Sequence, residues 1–317
     1  MNRETIKKLL PHLGFVLVYI LWGINMTSLK IGGKEWDPLV FNGLRFASII
    51  PFLWVYTYFY FRSRSMKLRI AGKDLLKACA LGVLTALGME TMLQYALQYS
   101  NAANGAVLGR GFMPIITALM ALLMGQMRLT WRIALGVPLA FLGVIVIVSA
   151  GPSGFHMGAD TFRGDALLLL RSLLGALYLI VMNRLMLKYP PILLISLEMT
   201  AAALTLLPFV IWKADAAYLS GITHVGWITL AYTAIFASAI GFFVHNLCLA
   251  SLGPFRASAY GYLLPITAAI AGVWIAGESI TLYQCLGGAG VLIAMYLVQR
   301  DSLQTIRQSE QTRDNPI

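Results

Sequence analysis

Six ionisable side chains lie inside long apolar stretches of the sequence, where an isolated charge is costly. They are Arg45, Glu90, Arg110, Arg171, Glu198 and His245. Such groups usually face a cavity, pair with one another and mark the path of a ligand or an ion. A guanidinium group also binds a carboxylate or a phosphate in a bidentate manner. These residue types therefore predict a buried polar site that binds a charged small molecule.

The spacing of Glu90 and Arg110 predicts that these two side chains meet. Each lies about ten residues from a short turn near Asn101, so two antiparallel helices would carry them to a similar depth. Arg45 lies about seven residues inside its own apolar segment, at a comparable level. Two interpretations stay open. One is a structural ion pair, and the other is a site in which two arginines and one carboxylate leave a positive excess for a substrate anion.

Polar and aromatic side chains of other apolar segments extend this set. Glu90 and Gln94 stand four residues apart on one helix face, and that face should avoid lipid. Trp22 lies too deep for an interfacial aromatic belt, although simple packing would also explain it. The predicted substrate-contacting residues are Trp22, Asn25, Arg45, Glu90, Gln94, Arg110, Tyr178, His245 and Tyr260.

Three residues are also candidates for carrying a coupled proton, namely Glu90, Glu198 and His245. Glu198 lies roughly 10 Å from the cytoplasmic side of its segment, where Arg184 or Lys188 would be its expected partner. His245 fits a satisfied core residue better than a proton carrier.

The composition is that of an integral membrane protein. Of 317 residues, 59% are hydrophobic and 12% are charged, and this charged share is about half that of an ordinary soluble domain. Ten apolar segments have the length that a helix needs to cross a bilayer. They cover residues 12–30, 38–61, 75–98, 102–125, 131–150, 162–186, 191–213, 224–248, 254–276 and 281–299. The first segment has no small-residue cleavage site after it, so it is expected to be a transmembrane helix and not a removed signal.

The three cysteines and the net charge do not predict a disulfide, a metal or a nucleic-acid partner. An odd number of cysteines at this spacing predicts neither a disulfide framework nor a metal site, and no cofactor is expected. With a cytoplasmic N-terminus, 17 of the 24 basic residues fall on the cytoplasmic side, 4 fall outside and 3 lie within segments. Short loops rich in lysine and arginine stay cytoplasmic. Both termini are therefore expected in the cytoplasm, with the protein in the cytoplasmic membrane. The net charge of +11 follows from this asymmetry, and a nucleic-acid partner is not expected.

Two parts of the sequence repeat one another at an offset of 151 residues. Residues 114–136 and 265–287 align without a gap and share proline, threonine and glycine positions. The chain is therefore interpreted as two halves, 1–150 and 151–300, followed by a polar tail at 301–317.

Five segments in each half is an odd number, so the second half would enter the membrane from the opposite side. Such inverted repeats are typical of secondary transporters, whose substrate site lies between the halves near the midplane. Pro114 and Pro265 are equivalent positions near the middle of their segments, where proline kinks a helix. They are candidate hinges, with static kinks as the alternative.

Several stretches resemble the EamA-type branch of the drug/metabolite transporter superfamily. They are YILWGINMTSLK at 19–30, PLVFNGLRFASIIP at 38–51, and LLPITAAIAGVWIAGESITLYQCLGGAGVLIAMYLV at 263–298 with its counterpart in the first half. The resemblance covers nearly the whole chain. It implies an all-α polytopic membrane protein of ten helices in two inverted five-helix repeats. It also implies alternating access and a central cavity lined by helices 1–4 and 6–9. Members generally export small metabolites, often amino acids or their derivatives, and some are coupled to protons.

The match to this family can be followed at individual positions. Trp22, Asn25 and Arg45 match the family's first two helices. Glu278 matches a glutamate that precedes the last helix, whereas Met127 stands at the corresponding position of the first half. This difference favours a loop-capping role for Glu278. Arg110 is not part of the general family pattern, so it indicates something particular about the substrate of this chain.

The sequence thus predicts a transporter and not an enzyme. The expected activity is export of a small charged or zwitterionic metabolite, most plausibly an amino acid or a derivative. The alternatives are an exchanger of phosphorylated or nucleotide-linked metabolites, an amine uptake carrier, a membrane-embedded enzyme and a receptor without flux. No HExxH or GxSxG motif supports the enzyme. The expected partners are the small molecule, the bilayer and, as an open possibility, a proton gradient. The sequence predicts no oligomeric state.

Overall fold

The computed structural model describes residues 3–123, 129–151, 154–155, 159–245, 247–248, 251, 260–261 and 263–297. The regular structure of these residues is helical, apart from a short antiparallel pairing of Ala150–Gly151 with Gly154–Phe155. Three positions discussed above fall outside this description: Met127, the side chain of Pro114, and the polar tail at 301–317.

The helices of the first half are α1 (Arg3–Gly32), α2 (Pro38–Ser63), α3 (Gly72–Tyr99), α4 (Ala102–Ala106, Val107–Gly111 and Met113–Leu123) and α5 (Trp131–Ser149). Those of the second half are α6 (Ala159–Met186), α7 (Pro191–Lys213), α8 (His224–His245), α9 (Leu263–Ala276) and α10 (Leu282–Leu297). A short helix, Ala216–Gly221, precedes α8.

Six of the described helices are long and apolar enough to cross a membrane: α1, α2, α3, α6, α7 and α8. Three shorter apolar helices accompany them, at Trp131–Ile147, Leu263–Ala276 and Leu282–Leu297. The chain is therefore a multi-pass membrane protein by helix length and composition. Ten crossings arranged as an inverted repeat remain a prediction.

Helices of the first half pack against helices of the second half. The main contacts join α1 to α9, α2 to α7, and α3 to both α6 and α7. Small residues permit the closest of these approaches. A Cβ atom on Gly82 of α3 would lie 2.5 Å from the backbone oxygen of Glu198, a distance that only glycine tolerates. The two halves therefore share one core, and the surfaces between them are the natural place for a buried site.

Three helices widen locally into π-helical turns. The π-helical segments are Leu84–Thr91 in α3, Val107–Gly111 in α4 and Thr233–Ile240 in α8. Such turns are rare and frequently occur at functional sites, because they redirect side chains that a regular α-helix would place elsewhere.

One end of the bundle is held by contacts between the halves. We call it the outer end, because the basic residues predict that it faces away from the cytoplasm. Lys30 Nζ lies 2.6 Å from Glu278 Oε1, and both carboxylate oxygens of Glu278 accept from the backbone N–H of Ala102 at 3.1 Å. Glu278 therefore caps α4, which agrees with the capping role expected of it, and also links α1 to the loop before α10.

Candidate substrate-binding cavity

One buried carboxylate, Glu90, is shared by three arginines. Its Oε2 atom lies 3.0 Å from Arg45, and its Oε1 atom lies 3.2 Å from both Arg110 and Arg171. As their spacing predicts, Glu90 and Arg110 meet across the turn between α3 and α4. The four side chains carry three positive charges and one negative charge, so the group keeps a formal excess of two positive charges.

Arg45 and Arg171 are held firmly by further acceptors. Arg45 donates from Nε to Ser238 at 2.9 Å and from Nη1 to Asn42 at 3.3 Å. Arg171 donates to the backbone oxygens of Met89, at 3.2 Å, and of Gly109. Arg45 is 3% exposed and Arg171 is 1% exposed. Both arginines therefore belong to the framework of the site.

Arg110 is placed differently from the other two arginines. About 25% of its side chain is exposed, and its Nε–H is buried without an acceptor among the described residues. This Nε–H is therefore a buried donor that the described residues leave unsatisfied, whereas the exposed part of the side chain lies on the wall of the cavity described below. Of the three guanidinium groups, that of Arg110 is the most exposed.

These residues line a cavity of about 540 Å³, a volume typical of small-molecule sites. The predicted residues on its wall are Trp22, Arg45, Glu90, Arg110, Tyr178, Glu198 and Pro265, and Arg171 joins them. The wall draws on helices of both halves, which is the placement expected for a transporter site.

Aromatic residues form one side of this cavity. The indole N–H of Trp22 donates to the backbone oxygen of Ala237 at 2.9 Å, which fixes the ring. Phe242 meets Trp22 edge-on, with ring centroids 5.8 Å apart. The ring of His245 lies 5.1 Å from that of Trp22 and 5.4 Å from that of Phe15. His245 thus supports the aromatic wall through packing.

Glu198 lies on the same cavity with hydroxyl partners. It accepts from Thr85 at 2.6 Å and from Tyr178 at 2.8 Å. The expectation that Arg184 or Lys188 would pair with it is wrong, since Lys188 binds Asp74 at 3.1 Å. Among the described residues, no cation lies within ion-pair distance of Glu198.

Besides His245, three of the predicted substrate-contacting residues lie away from the cavity wall. Gln94 is fully buried and accepts from Asn42 at 2.9 Å. Asn25 is buried with its Oδ1 atom unpaired among the described residues. Tyr260 hydrogen-bonds His12 and stacks on Phe15, with ring centroids 5.1 Å apart. In this conformation these three residues contact other parts of the protein and do not face the cavity.

Two residues of the site, Arg171 and Ser238, have partners that differ from the sequence-based expectations or lie beyond them. The sequence marks Arg171 as a buried cation but does not pair it with Glu90. Counting inward from the outer end of α6, it lies at a depth similar to that of Arg110, so the same count would have joined them. Ser238, which binds Arg45, shows no such signal, because an ordinary serine in an apolar helix can bond its own backbone.

Comparisons with known proteins identify the family of this chain. A sequence model described as the EamA-like transporter family matches the chain twice, over residues 9–149 and 162–300. A protein of Salmonella typhimurium named a probable amino-acid metabolite efflux pump is 23% identical, over 89% of this chain and 92% of its own length. A protein of Escherichia coli (strain K12) named an uncharacterized inner membrane transporter, YedA, is 26% identical over 92% of each chain.

A solved crystal structure shares the fold, with a TM-score of 0.58 and 14% sequence identity. The similarity covers 89% of this chain and 94% of the other. At this identity the likeness concerns the fold alone.

Proposed function

The chain belongs to the EamA-like transporter family, and we propose that it exports a small charged or zwitterionic metabolite by alternating access. An amino acid or an amino-acid derivative is the proposed substrate. The two family matches support two inverted five-helix repeats, one in each half of the chain. The basic-residue asymmetry and the inner-membrane relative support the cytoplasmic membrane, with both termini in the cytoplasm.

One observation carries this proposal: Arg110 is partly exposed on the wall of a cavity whose charged group has an excess of positive charge. An ionised carboxylate would accept from the exposed guanidinium N–H groups and would balance part of this charge. Charge-assisted hydrogen bonds of this type are about twice as strong as neutral ones. The relative named as an efflux pump supports amino-acid metabolites and the outward direction.

The first test measures ligand-induced thermal stabilisation of purified protein. The panel contains amino acids, polycarboxylates, phosphate esters and quaternary amines. Ligands that bind the folded state raise its apparent stability by mass action. We expect carboxylate-bearing ligands to stabilise the parent and to bind Arg110→Gln about ten- to hundredfold more weakly. Arg110→Lys should recover part of the loss, because lysine restores the charge without the planar fork.

Arg62→Gln is the matched control, since Arg62 is an exposed arginine that donates to the hydroxyl of the nearby Tyr58. It should leave every ligand response unchanged. Efflux of the stabilising ligand from loaded proteoliposomes then tests transport itself. Full ligand responses in Arg110→Gln would make the Glu90–Arg110 contact structural and would refute the assigned site.

Phosphorylated or nucleotide-linked metabolites are a second candidate class, favoured by the same cluster of arginines. Phosphate esters would then give the largest response in the panel. An amine uptake carrier is less well supported, because the charged group on the cavity wall already has an excess of positive charge. Quaternary amines test that possibility directly.

Proton coupling is a further part of the proposal, with Glu90, Glu198 and His245 as its candidate carriers. Both oxygens of Glu90 are bound to arginines, whereas His245 packs behind Trp22. Glu198 combines a place on the cavity with the absence of a cation partner among the described residues. It is therefore the best-supported carrier of the three.

Pro114 and Pro265 are proposed as symmetry-related hinges. Pro265 is buried in the first turn of α9 and lies on the cavity wall, where a reorientation of this helix start would reshape the site. Pro114 lies in the corresponding part of α4, directly after the interruption that separates Val107–Gly111 from Met113–Leu123.

A further inference from the structure

The cavity is elongated along helix α6. Arg171, Tyr178 and Met186 all lie on its wall, and 15 residues separate the first of them from the last. At 1.5 Å per residue, the lined length of α6 is about 22 Å. The cavity therefore extends from the arginines towards the cytoplasmic end of the bundle.

The chemistry of the wall changes along this length. The three arginines and Glu90 are at one end, and five methionines contribute to the apolar surface of the wall, which begins beside this charged group. These are Met89, Met113, Met186, Met199 and Met295. Methionine is unbranched and polarisable, and it adapts to ligand bodies of different shape. The apolar part can therefore accept several hydrocarbon shapes.

Three donors beside this apolar part already have acceptors. The hydroxyls of Thr85 and Tyr178 both donate to Glu198, and the indole N–H of Trp22 is bound to Ala237. A ligand that carried hydroxyls along its whole length would lose hydration here and regain few hydrogen bonds, which is costly. The wall therefore disfavours sugars and nucleotide-linked compounds.

We infer that the substrates are amphipathic carboxylates, with the carboxylate on Arg110 and an apolar body along the methionine-rich wall. This inference rests on the proposed function and narrows its substrate class. It requires an apolar body and one anionic group, and it excludes polyhydroxylated anions of the same charge and carbon number.

Hexanoate and D-gluconate provide a matched test, because both are monoanions of six carbons. They differ in that gluconate has a hydroxyl on each carbon except that of the carboxylate. Binding is measured by titration calorimetry on protein in lipid nanodiscs, with empty nanodiscs as the baseline. We expect hexanoate to bind at least about tenfold more tightly than gluconate. Affinity should rise roughly two- to fourfold per methylene from butanoate to hexanoate, as burial of apolar surface requires.

Arg110→Gln separates protein binding from partition into lipid. It should weaken hexanoate binding by about tenfold or more, because the charged donor is lost. If the dependence on chain length and the affinity both survive in Arg110→Gln, the acids are entering the bilayer and the inference is wrong.

Met199 tests the apolar wall with two substitutions of similar size. Met199→Gln introduces an amide, whereas Met199→Leu keeps the site apolar. Hexanoate should bind Met199→Gln several-fold more weakly and Met199→Leu about as well as the parent. Equal affinity of hexanoate for all three proteins would show that the apolar wall does not contribute to substrate recognition.

The results also distinguish the inference from the function on which it rests. If gluconate equals hexanoate and both depend on Arg110, carboxylate transport stands and the amphipathic class is wrong. If no carboxylate depends on Arg110, the proposed site fails together with the inference.

Discussion

At the scale of single residues, Glu90 holds the charged group of the cavity together. It is the carboxylate that Arg45, Arg110 and Arg171 all share. Without its negative charge, these arginines would face one another in a setting that water reaches poorly. Removing one partner from a buried ion pair is far more costly than the net value of the pair, because an uncompensated charge remains.

Glu90→Gln should therefore lower the free energy of unfolding by about 3–5 kcal/mol. Arg110→Gln should cost much less, since this arginine is partly exposed and Glu90 keeps two other partners. Denaturant unfolding in detergent measures both. Glu35→Gln is the control, because Glu35 is half-buried at the outer end and accepts from the hydroxyl of Thr223. A Glu90→Gln protein as stable as the parent would show that another group balances the arginines.

Single residues also show how far the site can be read from the sequence. Counting turns from a loop is enough to bring Glu90 and Arg110 together, because helix rise is constant. The same count would also place Tyr178 of α6 at the depth of Glu198 on the next helix, α7, but it fails for Thr85, which comes from α3. Which faces of distant helices meet depends on their rotation and crossing, and neither is encoded in the spacing along one segment.

At the scale of helices, the π-helical turns position the charged group. Glu90 lies in Leu84–Thr91, Arg110 in Val107–Gly111, and Ser238 in Thr233–Ile240. Each turn redirects a side chain towards the cavity at the expense of regular helical bonding. The apolar periodicity of the sequence predicts the helices but not these turns, because one widened turn hardly alters a pattern averaged over a whole segment.

Adjacent glycines of α10 give a test of helix packing. A Cβ atom on Gly287 would lie 2.6 Å from the backbone oxygen of Gly143 in α5, whereas one on Gly288 would have Val107 as its nearest neighbour, at 3.9 Å. Gly287→Ala should destabilise the protein by about 1–3 kcal/mol through overpacking. Gly288→Ala should be neutral or stabilising by up to about 1 kcal/mol, since alanine favours the helix. Equal effects in denaturant unfolding would argue against the close contact of α5 with α10.

At the scale of the whole molecule, the outer end is closed by Lys30, Glu278 and the N-terminus of α4. The central cavity instead extends towards the opposite ends of its helices. Alternating access requires this outer contact to break when the site opens outward. The Lys30–Glu278 pair joins the two halves, so it should bias the protein towards the conformation described above.

Lys30→Gln should therefore increase access to the cavity from outside. Leu264→Cys serves as the reporter, in a background that lacks Cys79, Cys248 and Cys285. We expect its labelling by a membrane-impermeant maleimide to rise about fivefold, as the loss of roughly 1 kcal/mol would predict. Lys34→Gln, at an exposed lysine of the same end, should leave the rate unchanged. If the labelling rate does not increase in Lys30→Gln, the Lys30–Glu278 pair does not control opening of the outer end.

The excess positive charge around Glu90 also has a consequence for the energetics of a complete transport cycle. The arginines return to their starting positions when the cycle closes, so without a coupled ion the net charge moved is that of the substrate. An exported monoanion carries negative charge outward, and an interior-negative membrane potential drives this step by about 2.3 kcal/mol per 100 mV. A zwitterion moves no net charge and gains nothing from the voltage. The electrical current would thus reveal whether the true cargo retains an ammonium group.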